Sequence, residues 1–170
     1  TYQVYNNSCG TCYNLRYSYH NGSEWVYEDI KDYSSNWAYS NTGKNNQIKL
    51  NSTDVPHVVF FEDYYDDVYL SVRVNGSWSS SSIDDYGGIY TTYGERAISL
   101  AIDSTDGLHV AYYDISGKFL EYAHRNPGES SWTKTNVHDQ GNHVIGTSVS
   151  IAVDSENRPH IAYQDRHQWD

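Results

Sequence analysis

Residues 149–165 read VSIAVDSENRPHIAYQD, and residues 98–114 read ISLAIDSTDGLHVAYYD. The two stretches align residue for residue. In each, apolar and polar side chains alternate: Ile98, Leu100 and Ile102 fall on one side, Ser99, Ala101 and Asp103 on the other, and Val149, Ile151 and Val153 repeat the pattern. A period of two in β-branched and aromatic runs marks strands. The segments between the runs, STDG and SENR, have the residues of tight turns. Each stretch therefore reads as strand, turn, strand.

The pattern extends outward from these copies. QIKLNSTDV (47–55) is a looser third copy, one residue shorter, and leads into PHVVFFED (56–63); TYQVYNN at residue 1 is a degenerate copy of the second strand. A further aromatic strand follows three of the copies: LRYSYHNGSEW (15–25), YLSVRVNGSW (69–78) and FLEYAHRNPGESSW (119–132). Each ends on a Trp, and a last strand follows it: WVYEDI, WSSSSI and WTKTNV. No 3.6-residue periodicity survives for two turns. The unit thus has four strands, A to D, placed in its third copy at 97–103, 108–114, 118–125 and 131–137. Four antiparallel strands at a period near fifty predict an all-β fold, a β-propeller with four-stranded blades. A β-sandwich does not require such self-similarity, and a solenoid coil is usually shorter. The expected divisions are blade 1 at about 1–37 lacking strand A, blade 2 at about 46–84, blade 3 at about 97–138, and the start of a fourth blade at 147–170.

The string Ser150-Ile151-Ala152-Val153-Asp154-Ser155, followed by Pro159-His160-Ile161-Ala162-Tyr163, resembles a class of secreted bacterial and archaeal β-propeller repeats. The likeness covers 46–165 well and 1–45 loosely. It implies the fold and secretion, and not a function, because propellers host lectins, hydrolases, adhesins and scaffolds alike. The sialidase box S-x-D-x-G-x-x-W is not present.

Three blades and part of a fourth make about thirteen strands, too few to close a ring. Either the chain is a segment of a longer protein, or copies complete one another. In the second case the C-terminal A and B strands would cap the A-less first blade of a neighbour by strand addition.

Composition narrows the partners. With 22 Asp and Glu against 11 Lys and Arg, the net charge is −11. Such a field repels phosphate backbones and anionic lipid surfaces, so neither nucleic acid nor membrane insertion is expected. No apolar run is long enough to span a bilayer. The start at TYQVYNNSCG, without Met or a signal segment, suggests a removed leader or a partial chain. Cys9 and Cys12 form one C-x-x-C pair. A local disulfide, two free thiols, or metal or redox chemistry are all open, and the disulfide would imply an oxidising compartment. Four N-x-S/T sequons, at Asn6, Asn21, Asn51 and Asn75, are glycosylation candidates.

In an up-and-down blade the B–C and D–A loops share one face. There the sequence concentrates Tyr33, Trp37, Tyr39, Tyr64, Tyr65, Asp66, Asp67, Tyr86, Tyr90 and Tyr93. The total of 18 Tyr and 5 Trp suits such a face. Aromatic rings beside carboxylates can stack on sugars, and they also serve protein interfaces. The repeated His57, His109 and His160 are expected to hydrogen-bond a neighbouring turn or blade. Asp103 and Asp154 are expected to make Asx turns. Calcium at Asp103–Gly107 is the minor alternative, since the loop lacks an EF-hand ligand run. No G-x-S-x-G, H-E-x-x-H or phosphate loop occurs. Adjacent carboxylates such as Asp66–Asp67 and Asp84–Asp85 do not have the opposed geometry of a glycosidase. The expectation is therefore a non-catalytic extracellular or cell-surface module without cofactor or metal. It would act in protein association or self-assembly, with other copies or blades as partners. A glycan-binding propeller, or a non-catalytic segment of a secreted hydrolase, is the alternative.

Overall fold

Alternation in the sequence becomes pairing in the structure, a computed structural model that describes residues 2–6, 12–31, 42–62, 67–85, 97–114, 117, 119–139 and 144–166. All thirteen described elements are strands: β1 (Tyr2–Asn6), β2 (Cys12–His20), β3 (Trp25–Lys31), β4 (Thr42–Leu50), β5 (Pro56–Glu62), β6 (Asp67–Val74), β7 (Ser77–Asp84), β8 (Ile98–Ile102), β9 (Leu108–Asp114), β10 (Phe119–Arg125), β11 (Thr133–Asp139), β12 (Val144–Val153) and β13 (Pro159–Arg166). They form four antiparallel sheets of sequence neighbours: β1–β3 (sheet I), β4–β7 (sheet II), β8–β11 (sheet III) and β12–β13 (sheet IV). No helix among the described residues is long and apolar enough to cross a membrane.

Strands expected at 108–114 and 118–125 appear at Leu108–Asp114 and Phe119–Arg125. Two boundaries differ. Strand β12 begins at Val144, inside a stretch read as loop, and its pairing slips between Ile145 and Val149. Strand β4 begins at Thr42 rather than near 46, with two register shifts before Gln47. Its entry passes through Gly43 at φ 89 and Asn45 at φ 49. A Cβ on Gly43 would lie 2.8 Å from Leu15 Cδ1, so this left-handed position also needs glycine for close approach to sheet I. Irregular pairing of this kind leaves no period for a pattern reading to detect.

Successive sheets pack face on face. Leu15 and Ile30 of sheet I meet Val58 and Phe60 of sheet II, while Val59, Phe61, Val68, Leu70 and Ile83 on the opposite side of sheet II meet Ile98, Leu100, Leu108, Val110 and Tyr112 of sheet III. Ala101 and Ala111 of sheet III then meet Ile151 of sheet IV. The two middle sheets are covered on both faces, which is why PHVVFFE and LHVAYYD are buried along their whole length. First strands lie against first strands, β4 on β8 and β8 on β12. Among the described residues the series runs from sheet I to sheet IV and closes no ring.

Candidate functional site: the joints between sheets

At the A–B turns the sequence Asx-Ser-x-Asx, at 51–54, 103–106 and 154–157, builds the same device three times. The residue ending strand A turns its side-chain oxygen back over the turn. Asn51 Oδ1 accepts from Thr53 N, Thr53 Oγ1 and Val55 N, and Asp103 Oδ1 accepts from Thr105 N, Thr105 Oγ1 and Gly107 N at 2.8 Å each. Asp154 Oδ1 accepts from Glu156 N and Arg158 N. Three residues on, Asp54, Asp106 and Asn157 take left-handed φ of 61, 67 and 62°, tolerated because a short polar side chain bonds locally.

That left-handed residue also reaches the previous sheet. Asp106 accepts from Ser52 N at 2.8 Å and from Ser52 Oγ at 2.7 Å. Asn157 Oδ1 accepts from Ser104 Oγ at 2.9 Å and Ser104 N at 3.3 Å. A second link crosses beneath: Ser99 Oγ accepts from Ile151 N at 3.1 Å, wholly buried. Each turn thus closes itself with one Asx and joins its neighbour with another.

The histidines act on these turns. His109 Nε2 and His160 Nε2 lie 3.1 Å from Oδ2 of Asp103 and Asp154, and His57 Nδ1 lies 2.9 Å from Val55 O. Burial alone would raise the Asp103 carboxyl, but bonds from His109, Thr105 and Gly107 outweigh it and hold the group far below the usual carboxylate range. Backbone and side-chain bonds from Arg158, with one from His160, do the same for Asp154. His124 adds a third donor near Asp103 and His109, all within 4.8 Å, the one described cluster with the donor types for a transition metal. The same Asp–His contact recurs in sheet IV, where no third donor stands beside it among the described residues, and this favours a turn staple. Burial is also what depresses the His124 and His57 pKa values.

Opposite the turns, the joint between sheets II and III holds a buried polar cluster. Tyr112 OH lies 2.6 Å from Asp84 Oδ2 and 3.0 Å from Glu121 Oε2, and Lys134 Nζ pairs with Asp84 Oδ1. Desolvation, then the Asp84 charge, push Glu121 up to about 7. At the next joint the equivalent pair is Tyr163 OH and His138 Nδ1, 2.7 Å apart. The cluster can store a proton. Its two carboxyls are bridged by the Tyr112 hydroxyl.

The joint between sheets I and II is held by Glu28, which accepts from Arg73 Nε (2.8 Å), Arg73 Nη2 (2.7 Å) and Trp78 Nε1 (3.1 Å). The Arg73 bonds lead in keeping the Glu28 carboxyl below its usual range. One repeat later, Trp132 Nε1 is buried with no acceptor among the described residues, and Arg125 lies over its ring at 4.6 Å. The position matching Glu28 there is Ser81.

Tyr33, Trp37, Tyr39, Tyr64, Tyr65, Asp66, Tyr86, Tyr90, Tyr93 and Cys9 lie outside the described residues. Of the expected rim only Asp67 is described, and it is the buried first residue of β6, 3.5 Å from Tyr69 OH. Asp84, expected in a loop, is likewise buried in β7. Cys12 opens β2 and Asn6 closes β1. Asn21 and Asn75 are exposed in turns, and the side-chain oxygens of both Asn21 and Asn51 accept from the backbone of their own turns. The Asp84–Tyr112–Glu121–Lys134 cluster escaped the sequence reading because its members come from four strands of two sheets and match no local spacing. No protein-family model matches the chain, and none of the curated proteins matches it.

Proposed function

We propose that the chain is an arc of a β-propeller whose work is association with further sheets of its own kind, as an extracellular scaffold and not an enzyme. The carrying observation is a pair of equivalent faces. Ser99, Ala101, His109, Ala111 and Tyr113 of sheet III are buried under sheet IV, whereas the matching Ser150, Ala152, His160, Ala162 and Gln164 of sheet IV are exposed. A surface that is buried at one repeat and open at the next is built for another sheet. First strands lying against first strands support radial stacking, since inner strands crowd nearest an axis. The turn-borne sequons at Asn21 and Asn75 support an extracellular setting. A Cys9–Cys12 disulfide would fit the same setting.

Light scattering across a concentration series tests the reading. Association supports it, and a monomer at every concentration sinks it. The glycan reading rests on Tyr33, Trp37 and Tyr39, and binding to a glycan array that Trp37→Ala abolishes would establish it instead.

A further inference from the structure

We infer that the joint between sheets II and III holds a binding site for a small zwitterion, a free α-amino acid, whose carboxylate is gripped by Arg125 and whose ammonium is taken by His57 and the carboxylates of the turns.

The site is a cavity of about 240 Å3 where the A–B turns meet the C–D turn of sheet III. Its walls include His57, Asp106, Leu108, Arg125, Pro127 and Glu129. Sites for drug-sized ligands run from roughly 300 Å3 upward, so this volume suits one small molecule and not a polymer.

Three departures from the repeat converge on this cavity, and neighbouring sheets fold without them. The first concerns Arg125. It is the equivalent of Arg73, since each follows the residue paired with the strand B histidine: Val72 opposite His57, and His124 opposite His109. Arg73 is held by Glu28, whereas Ser81 stands at the matching place in the second joint. The Arg125 guanidinium lies over the Trp132 ring and has no hydrogen-bond or ion-pair partner among the described residues. The second concerns His57. His109 and His160 lie against the aspartate that ends their own strand A, but in sheet II that place is Asn51. His57 turns Nδ1 to Val55 O instead. A carbonyl only accepts, so Nδ1 carries the proton. Burial holds the His57 pKa down, which keeps the ring neutral and leaves Nε2 a lone-pair acceptor with no partner among the described residues. The third is an insertion. The stretch from Arg125 to Trp132 is two residues longer than that from Arg73 to Trp78, and it supplies the Pro127 and Glu129 wall. Insertions in a single repeat map to loops on one face, often the binding face.

Charge selects the ligand. Asp106 accepts from Ser52, and Glu129 accepts from Asn126, so neither carboxylate is paired with Arg125 among the described residues. One guanidinium between two carboxylates disfavours a phosphate or other dianion, and it sets both signs around one small space. A carboxylate takes two parallel N–H bonds from a guanidinium. An ammonium beside it donates to His57 Nε2, Asp106 and Glu129. The ligand's side chain rests on Leu108 and Pro127. A sugar acid would satisfy Arg125 but bring no cation to the two carboxylates.

The test is calorimetric titration of the chain at pH 7 with each of the common L-amino acids, and with glucuronate as the sugar acid. At least one amino acid is expected to bind with a Kd of about 1 mM or tighter. Its N-acetyl form and its carboxamide are each expected to bind at least tenfold more weakly. Arg125→Gln is expected to lose binding at least tenfold. So is Ser81→Glu, which does not line the cavity but returns to Arg125 the carboxylate that Arg73 has. Melting curves show that Ser81→Glu stays folded, so its loss reads the site and not the fold. No binding of any amino acid up to about 10 mM overturns the site. Unchanged affinity in Ser81→Glu and Arg125→Gln overturns it as well. Equal binding of the N-acetyl form, or binding of glucuronate alone, overturns the zwitterion. None of these outcomes touches the association reading, which light scattering decides separately.

Discussion

Ser52 and Asp106 stand 54 positions apart in the chain, yet both the backbone N–H and the hydroxyl of the serine donate to that one carboxylate. Ser104 and Asn157 repeat the arrangement one sheet later. The link is where a local turn motif becomes a tertiary one, because the aspartate that stabilises its own turn by a left-handed φ also receives the neighbouring turn. Ser52→Ala removes one donor from an exposed pair. Its expected effect is a small drop in urea midpoint, matched by Ser104→Ala and additive with it, since the two links share no partner. Equilibrium urea unfolding of the two single variants and the double variant checks this.

Asp103 carries more than a link. It is buried and accepts from Thr105, Gly107 and His109. Asp103→Ala strands these donors and should cost about 2–4 kcal/mol. Asp103→Asn keeps the oxygen that Asn51 uses at the same place, so it should cost less than half as much. Denaturant titration separates the two, and equal losses would show that the carboxylate charge, not the turn, matters.

Glu121 makes stability depend on pH in an unusual direction. Its folded pKa of about 7 lies above the ordinary carboxyl value of 4.5. The stabilisation is therefore fully present below pH 4.5 and is lost as pH rises through 7. Between pH 5 and 8 this group alone lowers the melting temperature. Glu121→Gln keeps the neutral form at all pH values, so the variant should lose that slope and melt higher than the parent at pH 8. Melting curves at pH 5, 6, 7 and 8 decide it, and a parallel profile in the variant would place the shift elsewhere.

Trp132 Nε1 lacks the acceptor that Trp78 finds in Glu28. Ser81→Glu copies the first joint into the second and gives both Trp132 and Arg125 a carboxylate. A gain of about 1 kcal/mol is expected, read as a rise in melting temperature at pH 7 that disappears in Ser81→Gln if the Arg125 charge supplies it.

Much of this architecture was legible because it is local. The alternation of Ile98, Leu100 and Ile102 against Ser99 and Ala101 separated the two faces of the strand, and the clusters follow that division. The Asx turns were legible for the same reason, since Asp103 bonds residues two and four positions on. The rim was less so. Asp67 and Asp84 read as loop carboxylates and are buried strand ends, because register shifts next to them extend the ladders past the last residue that alternates. The proton-sharing cluster had no local signature at all.

The amino-acid sequence alone determined the repeat, its four strands and the side each residue presents, because strand pairing and turn closure act over a few residues and recur with the motif. Only the tertiary structure decided what each side meets: that Ser104 meets Asn157, that burial beside Asp84 raises the Glu121 pKa, and that Trp132 finds no acceptor among the described residues. Those outcomes depend on two sheets lying face to face, where burial removes water and brings residues tens of positions apart into contact.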